Sequence, residues 1–425
     1  MCTLVFLQFN LTKNTEKMAL IVQKYGGTSV GNPEKIKAVA ERVLDYSRRG
    51  HVMVVVLSAM SGETDRLVTL ANSVQDQPDS REMDVLLSTG EQVTISLFAM
   101  AVKAAGYDAV SFLGDQVKIL TSSMHTKARI QTVDTEKIKG HLAQGKIVVV
   151  AGFQGVDENG NITTLGRGGS DTTAVALAAS LKADQCEIFT DVEGVYTTDP
   201  NICTAARKIE RISYDEMLEL ASLGAKVLDI RSVGLAKRYK VPLHVRSTFV
   251  ETEGTWVVEE DKAMESMLVS GVTYSKNEAR LTISRVPDKP GIASIIFMPI
   301  SDAGIVVDMI IQNTRAGDLT DMTFTVPRND YKKALELLKK IAADIGAEDV
   351  SSADNIAKVS IVGVGMRNNS GIASTMFHVL ANEGINIMMI STSEIKVSCV
   401  IEEKYTELAV RALHDAFALD QKDIQ

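Results

Sequence analysis

Residues 19–57 read Ala19-Leu-Ile-Val-Gln-Lys-Tyr-Gly-Gly-Thr-Ser-Val30, then a mixed run from Pro33 to Arg48, then Val52-Met-Val-Val-Val-Leu57. A strand-length apolar run, Ala19 to Lys24, a glycine pair, a helical period and a second apolar run make one strand–loop–helix–strand unit. Ile36, Val39, Ala40, Val43 and Leu44 recur at helical spacing behind Asn32 and Pro33. The helix therefore starts with proline in its first turn and lays one apolar face on a sheet. The alternation continues through a helix over Asp84 to Gly106, a strand over Ile147 to Phe153 and a helix over Ala174 to Leu181. From Met18 to about Ser180 this predicts an α/β sheet covered by helices.

The chain has 425 residues, 45% hydrophobic and 23% charged, enough to bury the cores of two or three domains. Lys and Arg total 45 against 54 Asp and Glu, and the net charge of −9 gives no footprint for nucleic acid or an anionic membrane. Cys2, Cys186, Cys203 and Cys399 lack the paired spacing of a zinc site or a disulfide framework, which fits a reducing cytoplasm. The apolar runs are strand-length, so no membrane span is expected. Residues 1–17 read as a tail without a basic n-region or small-residue cleavage site, and a start codon assigned too early is the expectation there.

The C-terminal third repeats itself. Gly291-Ile-Ala-Ser recurs as Gly371-Ile-Ala-Ser, Phe297 as Phe377, Gly304 as Gly384 and Met309 as Met389, always at an offset of 80. Strands over 280–286 and 358–364, helices over 293–303 and 373–383, and strands over 306–312 and 386–391 give two βαββα modules. Such a pair either duplicates a stable fold or buries a small ligand at its interface.

Three glycine-bearing loops carry the chemistry. Lys24-Tyr-Gly-Gly-Thr-Ser-Val lies between strand and helix, where backbone N–H groups receive anions; Gly26-Gly27 alone also suits a tight turn. Gly166-Arg-Gly-Gly-Ser-Asp-Thr-Thr-Ala enters an apolar helix, with Ser170, Asp171 or Thr172 as its cap and Arg167 placed to grip a carboxylate. Thr190-Asp-Val-Glu-Gly-Val-Tyr-Thr-Thr-Asp-Pro follows a third strand and offers polar groups and an aromatic wall to a nucleotide. Glu91 reads equally as a first-turn carboxylate or as a ligand. The six histidines form no triad, and glycine loops with Lys and Arg suit phosphoryl transfer.

These motifs, with Gly152-Phe-Gln-Gly, resemble those of the aspartokinases within the amino-acid kinase family, over Met18 to about Leu419. The repeat is similar to their tandem ACT domains. The resemblance implies a three-layer αβα kinase domain over 18–265, then ferredoxin-like βαββαβ ACT domains over 280–352 and 357–421. It implies transfer of the γ-phosphoryl group of Mg-ATP to the side-chain carboxylate of L-aspartate, with no direct protein ligand to the metal. Lys24 and Asp171 would be catalytic. Ser58, Glu91, Arg167, Gly168, Gly169 and Ser170 would bind aspartate. Tyr25, Gly26, Gly27 and Ser170 would join Lys24 on ATP, with Thr190, Asp191, Val195, Tyr196, Thr197, Thr198, Asp199, Pro200 and Lys226. Asn201 stands where the family often has Arg, which implies weaker nucleotide binding.

The same resemblance implies feedback inhibition by lysine, threonine or both. The acid, ammonium and side chain of the effector would meet Asp288, Lys289, Pro290, Gly291, Ile292, Ala293, Val306, Val307, Asp308 and Gln312 of the first module. Ile372, Ala373, Asn386, Ile387, Ser393 and Glu394 would serve in the second. A homodimer or larger assembly through the ACT modules is implied, with an ACT-only chain from an internal start at Met264 as a further expectation. Another amino-acid kinase and a non-catalytic ACT regulatory subunit are the competing readings; the Arg167 motif with tandem ACT modules opposes the first, and Lys24, Glu91, Arg167 and Asp171 together oppose the second.

Overall fold

The computed structural model describes residues 18–223, 227–262, 264, 267–315 and 317–421, so the expected tail 1–17 and Lys226 lie outside the described residues. In chain order the elements begin with β1 (Leu20–Tyr25), α1 (Pro33–Arg48), β2 (Val52–Leu57), α2 (Glu63–Val74), α3 (Ser80–Leu87), α4 (Thr89–Ala104), β3 (Ala109–Phe112), β4 (Ile119–Thr121) and β5 (Ile130–Val133). Next come α5 (Glu136–Leu142), β6 (Ile147–Ala151), β7 (Gln154–Val156), β8 (Ile162–Thr164), α6 (Gly169–Leu181), β9 (Gln185–Thr190), β10 (Arg211–Ser213), α7 (Tyr214–Ser222), α8 (Ile230–Tyr239), β11 (Leu243–Ser247) and β12 (Thr255–Val258). The C-terminal third holds β13 (Gly271–Pro287), α9 (Ile292–Asp302), β14 (Ile310–Arg315), β15 (Leu319–Val326), α10 (Tyr331–Ile345), β16 (Asp349–Val362), α11 (Ile372–Asn382), β17 (Met389–Thr392), β18 (Lys396–Glu402) and α12 (Thr406–Ala416). Two compact units result, one of residues up to 191 with 238–251, the other of 192–237 with 252 onward.

In the first unit, parallel strands run in the order β11-β9-β1-β2-β6-β3. Ile21 and Tyr25 of β1, Met53 and Leu57 of β2 and Val149 of β6 share a core with Val39 and Val43 of α1 and with Ile95, Phe98 and Val102 of α4. Side chains alternate along a strand, so Val22, Lys24, Val54 and Val56 face the other way, toward α6, which packs on β1, β2 and β9. Helices on both faces make three layers. The α1 start is as expected: Asn32 Oδ1 accepts the Lys35 N–H at 2.9 Å, a cap worth about 1 kcal/mol, with Pro33 at the first turn. The single helix expected over 84–106 is instead α3 and α4, broken at Ser88.

By length and composition alone, residues 80–104 would cross a membrane. A core helix gives the same signal, and here Asp84, Glu91, Ile95, Phe98 and Val102 are all buried.

In the second unit, β10 pairs with β12 in parallel, and a six-stranded antiparallel sheet runs β14-β15-β13-β16-β18-β17. The repeat is interleaved, unlike the two separate modules expected from the sequence. The start of β13, Gly271 to Ser275, pairs with Lys358 to Val362 at the end of β16, while Arg280 to Ser284 pairs with Asp349 to Ala353 at its start. One long strand thus serves both modules. The first core gathers Leu281, Ile283, Ile296, Ile300, Phe324 and Leu338; the second gathers Val272, Val359, Ile361, Met376, Leu380 and Leu413.

Candidate active site

Strand register places the loops. Tyr25 lies opposite Leu57, Leu57 opposite Ala151, and Tyr25 opposite Phe189. Gly26, Ser58, Gly152 and Thr190, each one residue further, therefore emerge side by side at the carboxyl ends of parallel strands, where α/β sheets gather ligands. Lys24 is the last residue of β1 facing α6, and its Nζ lies 2.6 Å from Asp171 Oδ1, both side chains largely buried. Asp171 comes from the first turn of α6. The cap expected of Ser170, Asp171 or Thr172 is absent: Gly168, at φ +70°, is the N-cap and no side chain caps it. A left-handed entry suits glycine, and it frees Asp171 for Lys24.

Glycines here answer to close backbone approach. A Cβ at Gly27 would meet the Ala59 carbonyl oxygen at 2.7 Å, so two strand-end loops touch through it. A Cβ at Gly152 would meet Ser170 Oγ at 2.6 Å, which seats Ser170 directly on the β6 loop. Ser58 is half-buried, and its N–H donates to the Tyr25 carbonyl at 3.2 Å.

Glu91 sits in the first turn of α4, 3% exposed. Its Oε1 accepts the Ala59 N–H at 3.0 Å, whereas Oε2 is buried without a hydrogen-bond partner. Burial pushes its pKa up to about 7, against the opposing pull of the Ala59 N–H. Arg167 is exposed on the α6 entry loop.

The expected nucleotide loop starts in the first unit, where Thr190 Oγ1 donates to Asp191 Oδ1 at 3.0 Å. It continues in the second, where Val195, Thr197 and Thr198 are buried and Tyr196 is half-buried. Asn201 donates through both its backbone and side-chain nitrogens to Asp199 Oδ1, at 2.9 and 3.0 Å, and so closes the turn after Pro200.

Comparisons with known proteins identify the family. The amino acid kinase family model matches residues 19–247, and ACT domain models match 280–343 and 359–417. An aspartokinase of Pseudomonas aeruginosa is 60% identical over 405 residues, covering 95% of this chain and 98% of that one. The chain belongs to the aspartokinase family. Among solved structures, Escherichia coli aspartokinase III in complex with aspartate and ADP superposes with a TM-score of 0.78 at 26% identity, covering 93% of this chain and 99% of that one. The same protein in complex with lysine and aspartate gives 0.73 at 26%, covering 94% and 99%.

In this aspartokinase the expected effector residues fall into two sets. Around the first module, Asp288, Lys289, Pro290 and Gly291 precede α9, Ile292 and Ala293 open it, and Val306, Val307 and Asp308 lead into β14, which carries Gln312. Around the second, Ile372 and Ala373 open α11, Asn386 and Ile387 precede β17, and Ser393 with Glu394 turns into β18. β14 and β17 are opposite edges of the one sheet. Asp308 is already ion-paired with Lys358, a buried side chain that also reaches Glu278 Oε1 at 3.0 Å. A cavity of about 640 Å³ opens beside Gly371, Ile372 and Thr375.

Two hubs escaped the sequence reading. Asp84 is fully buried and accepts from the Thr126 N–H, the Thr164 hydroxyl and His125 Nδ1, at 3.0, 2.5 and 2.7 Å, which pins both sides of the Gly166 loop. A Cβ at Gly166 would lie 2.9 Å from the Thr126 oxygen. Glu187 takes Gln23 Nε2 at 2.6 Å and the Tyr46 hydroxyl at 3.2 Å, with Arg246 Nη1 3.3 Å away. Burial opposes its ionisation, yet the His244 and Gln23 hydrogen bonds and the Arg246 charge hold its carboxyl below the usual range. Neither hub has a spacing that marks it, since each is a lone carboxylate whose partners are distant in sequence.

Proposed function

We propose that this enzyme transfers the γ-phosphoryl group of Mg-ATP to the side-chain carboxylate of L-aspartate, giving 4-phospho-L-aspartate, the first step toward lysine, threonine, methionine and diaminopimelate. The observation that carries it is Glu91, a buried carboxylate with one open oxygen beside strand-end loops that also bear Lys24 and Ser58. Glu91 takes the α-ammonium group, Arg167 a carboxylate, and Ser58 and Ser170 complete the pocket. The nucleophile is ionised at pH 7, since its ordinary pKa is about 3.9, so no general base is needed. The obstacle is repulsion between two anions. Lys24 neutralises the transferring group, held in place by Asp171, while the N–H groups around Gly26, Gly27, Gly168 and Gly169 cradle it. A divalent cation would arrive with the nucleotide and would supply positive charge to its phosphates.

Thr190 to Pro200, with Lys226, holds adenosine and the outer phosphates, and Asn201 in place of an arginine weakens that hold. Lysine, threonine or both inhibit through the ACT modules; the outer edges of β14 and β17, which pair with no further strand among the described residues, support completion of the effector pockets by a second copy, hence a homodimer or larger assembly. An ACT-only chain starting at Met264 adds to that assembly, and the location is cytoplasmic. A coupled assay of ADP release with aspartate, glutamate as control, and lysine and threonine singly and together tests the reading. Aspartate-dependent turnover curbed by an effector supports it; turnover with glutamate alone, or none, overturns it.

A further inference from the structure

Within the second unit the expected nucleotide loop is joined to the second ACT module by three hydrogen bonds. The Val272 N–H of β13 donates to the Thr197 carbonyl at 2.7 Å. A Cβ at Gly271 would lie 2.9 Å from the same oxygen, so the strand and the loop are in backbone contact. The Thr197 hydroxyl, which accepts the Arg207 N–H at 2.9 Å, lies 3.0 Å from His414 Nε2 of α12. The Tyr274 hydroxyl donates to Asp199 Oδ2 at 3.0 Å. His414 is 0% exposed and Thr197 1%, so water does not replace a lost partner there.

We propose that His414 and Tyr274 are positioning residues for the nucleotide loop, making the second ACT module a structural wall of the ATP site. Thr197 and Asp199 belong to the segment that holds the nucleotide, and each takes its side-chain partner from the ACT fold. Val272 and Tyr274 lie on the strand that both modules share, and His414 lies on the helix that covers the second core. A shift of that strand or helix therefore moves the loop directly, and the kinetic parameter it changes first is the KM for ATP. This inference rests on the reading of Thr190 to Pro200 as the nucleotide loop.

The test uses the full-length enzyme with His414→Leu, His414→Gln and Tyr274→Phe, measuring kcat, the KM for ATP, the KM for aspartate, and ADP affinity by calorimetry. Loss of one buried hydrogen bond predicts a rise of about three- to tenfold in ATP KM and in ADP Kd for His414→Leu and Tyr274→Phe, with the aspartate KM within twofold of wild type. His414→Gln, which keeps a polar group near the Nε2 position, restores ATP KM most of the way. Equal effects on both substrates, an unchanged ADP Kd in all three variants, or a Gln variant as impaired as the Leu variant would each overturn the proposal. If the wild-type chain binds ADP without phosphorylating aspartate, the proposed reaction falls, and the ADP Kd of the variants still decides the positioning role.

Discussion

Glu91 accepts the backbone N–H of Ala59 at 3.0 Å through one carboxylate oxygen and keeps the other buried and unpartnered. The first contact ties α4 to the loop after β2, and the second leaves a buried carboxylate oxygen on which the proposed binding of the α-ammonium group rests. Burial raises its pKa to about 7, against the pull of the backbone N–H groups that bond it.

Replacing Glu91 by Gln separates binding from folding. Only the ionised carboxylate attracts the ammonium group, so the aspartate KM of Glu91→Gln rises by about 100-fold, that of ATP by less than threefold. In the native enzyme the aspartate KM climbs as pH falls below about 7. The stability effect has the opposite sense. A carboxyl whose folded pKa is raised costs stability as pH rises from its ordinary 4.5 through about 7, so Glu91→Gln melts higher than native at pH 8, by about 1–3 kcal/mol, and loses that advantage near pH 5. Steady-state kinetics and melting curves at both pH values check this.

Lys24 and Asp171 are ion-paired at 2.6 Å and are expected to act as one unit. Lys24→Met lowers kcat by about 1000-fold, as removal of a charge from a transferring phosphoryl group does. Asp171→Asn lowers it by about 10- to 100-fold by releasing Lys24, and the double variant is no worse than Lys24→Met alone. Additive losses would contradict a shared role.

Gly27 is fixed by a neighbour's backbone. Because its Cβ would press on the Ala59 carbonyl at 2.7 Å, Gly27→Ala forces the two strand-end loops apart. It is expected to cost about 1–3 kcal/mol and to lower activity more than its melting point suggests, whereas Gly140→Ala, inside α5 with open space around it, leaves activity unchanged and adds about 0.5–1 kcal/mol of stability.

The legible part of the fold was local. Asn32 and Pro33 announce α1 because a cap and a fixed proline φ act within one turn, and the offset of 80 announces two modules because duplicated sequence duplicates elements. The interleaving was illegible: 271–279 includes the polar run Ser275-Lys-Asn-Glu278 and pairs with residues some 85 positions away. The site followed the same division. Lys24 and the glycine loops are marked by their place at strand ends, whereas Asp84 looks like an ordinary helix acid and is the buried anchor of the Gly166 loop. Asp171 was visible as a cap candidate, but its pairing with Lys24 across 147 residues is set by the sheet, not by spacing.

Glu216 joins α7 to the ACT strands. It is 1% exposed, its Oε2 accepts from the Ser213 N–H at 3.0 Å, and its Oε1 accepts from the Val364 N–H at 3.0 Å and from the Ser270 hydroxyl. Glu216→Ala strands four donors, the Ser213 hydroxyl on Oε2 at 2.7 Å included, and is expected to cost about 3–5 kcal/mol, read as a lower denaturant midpoint.

The most direct measurement traps the product. Enzyme, Mg-ATP, L-aspartate and hydroxylamine together form a hydroxamate only where a carboxylate has become an acyl phosphate. The account predicts aspartyl hydroxamate on the side-chain carboxyl, dependent on ATP, reduced about 1000-fold by Lys24→Met and absent with glutamate. No hydroxamate from the native enzyme, or as much from Lys24→Met as from native, would contradict it.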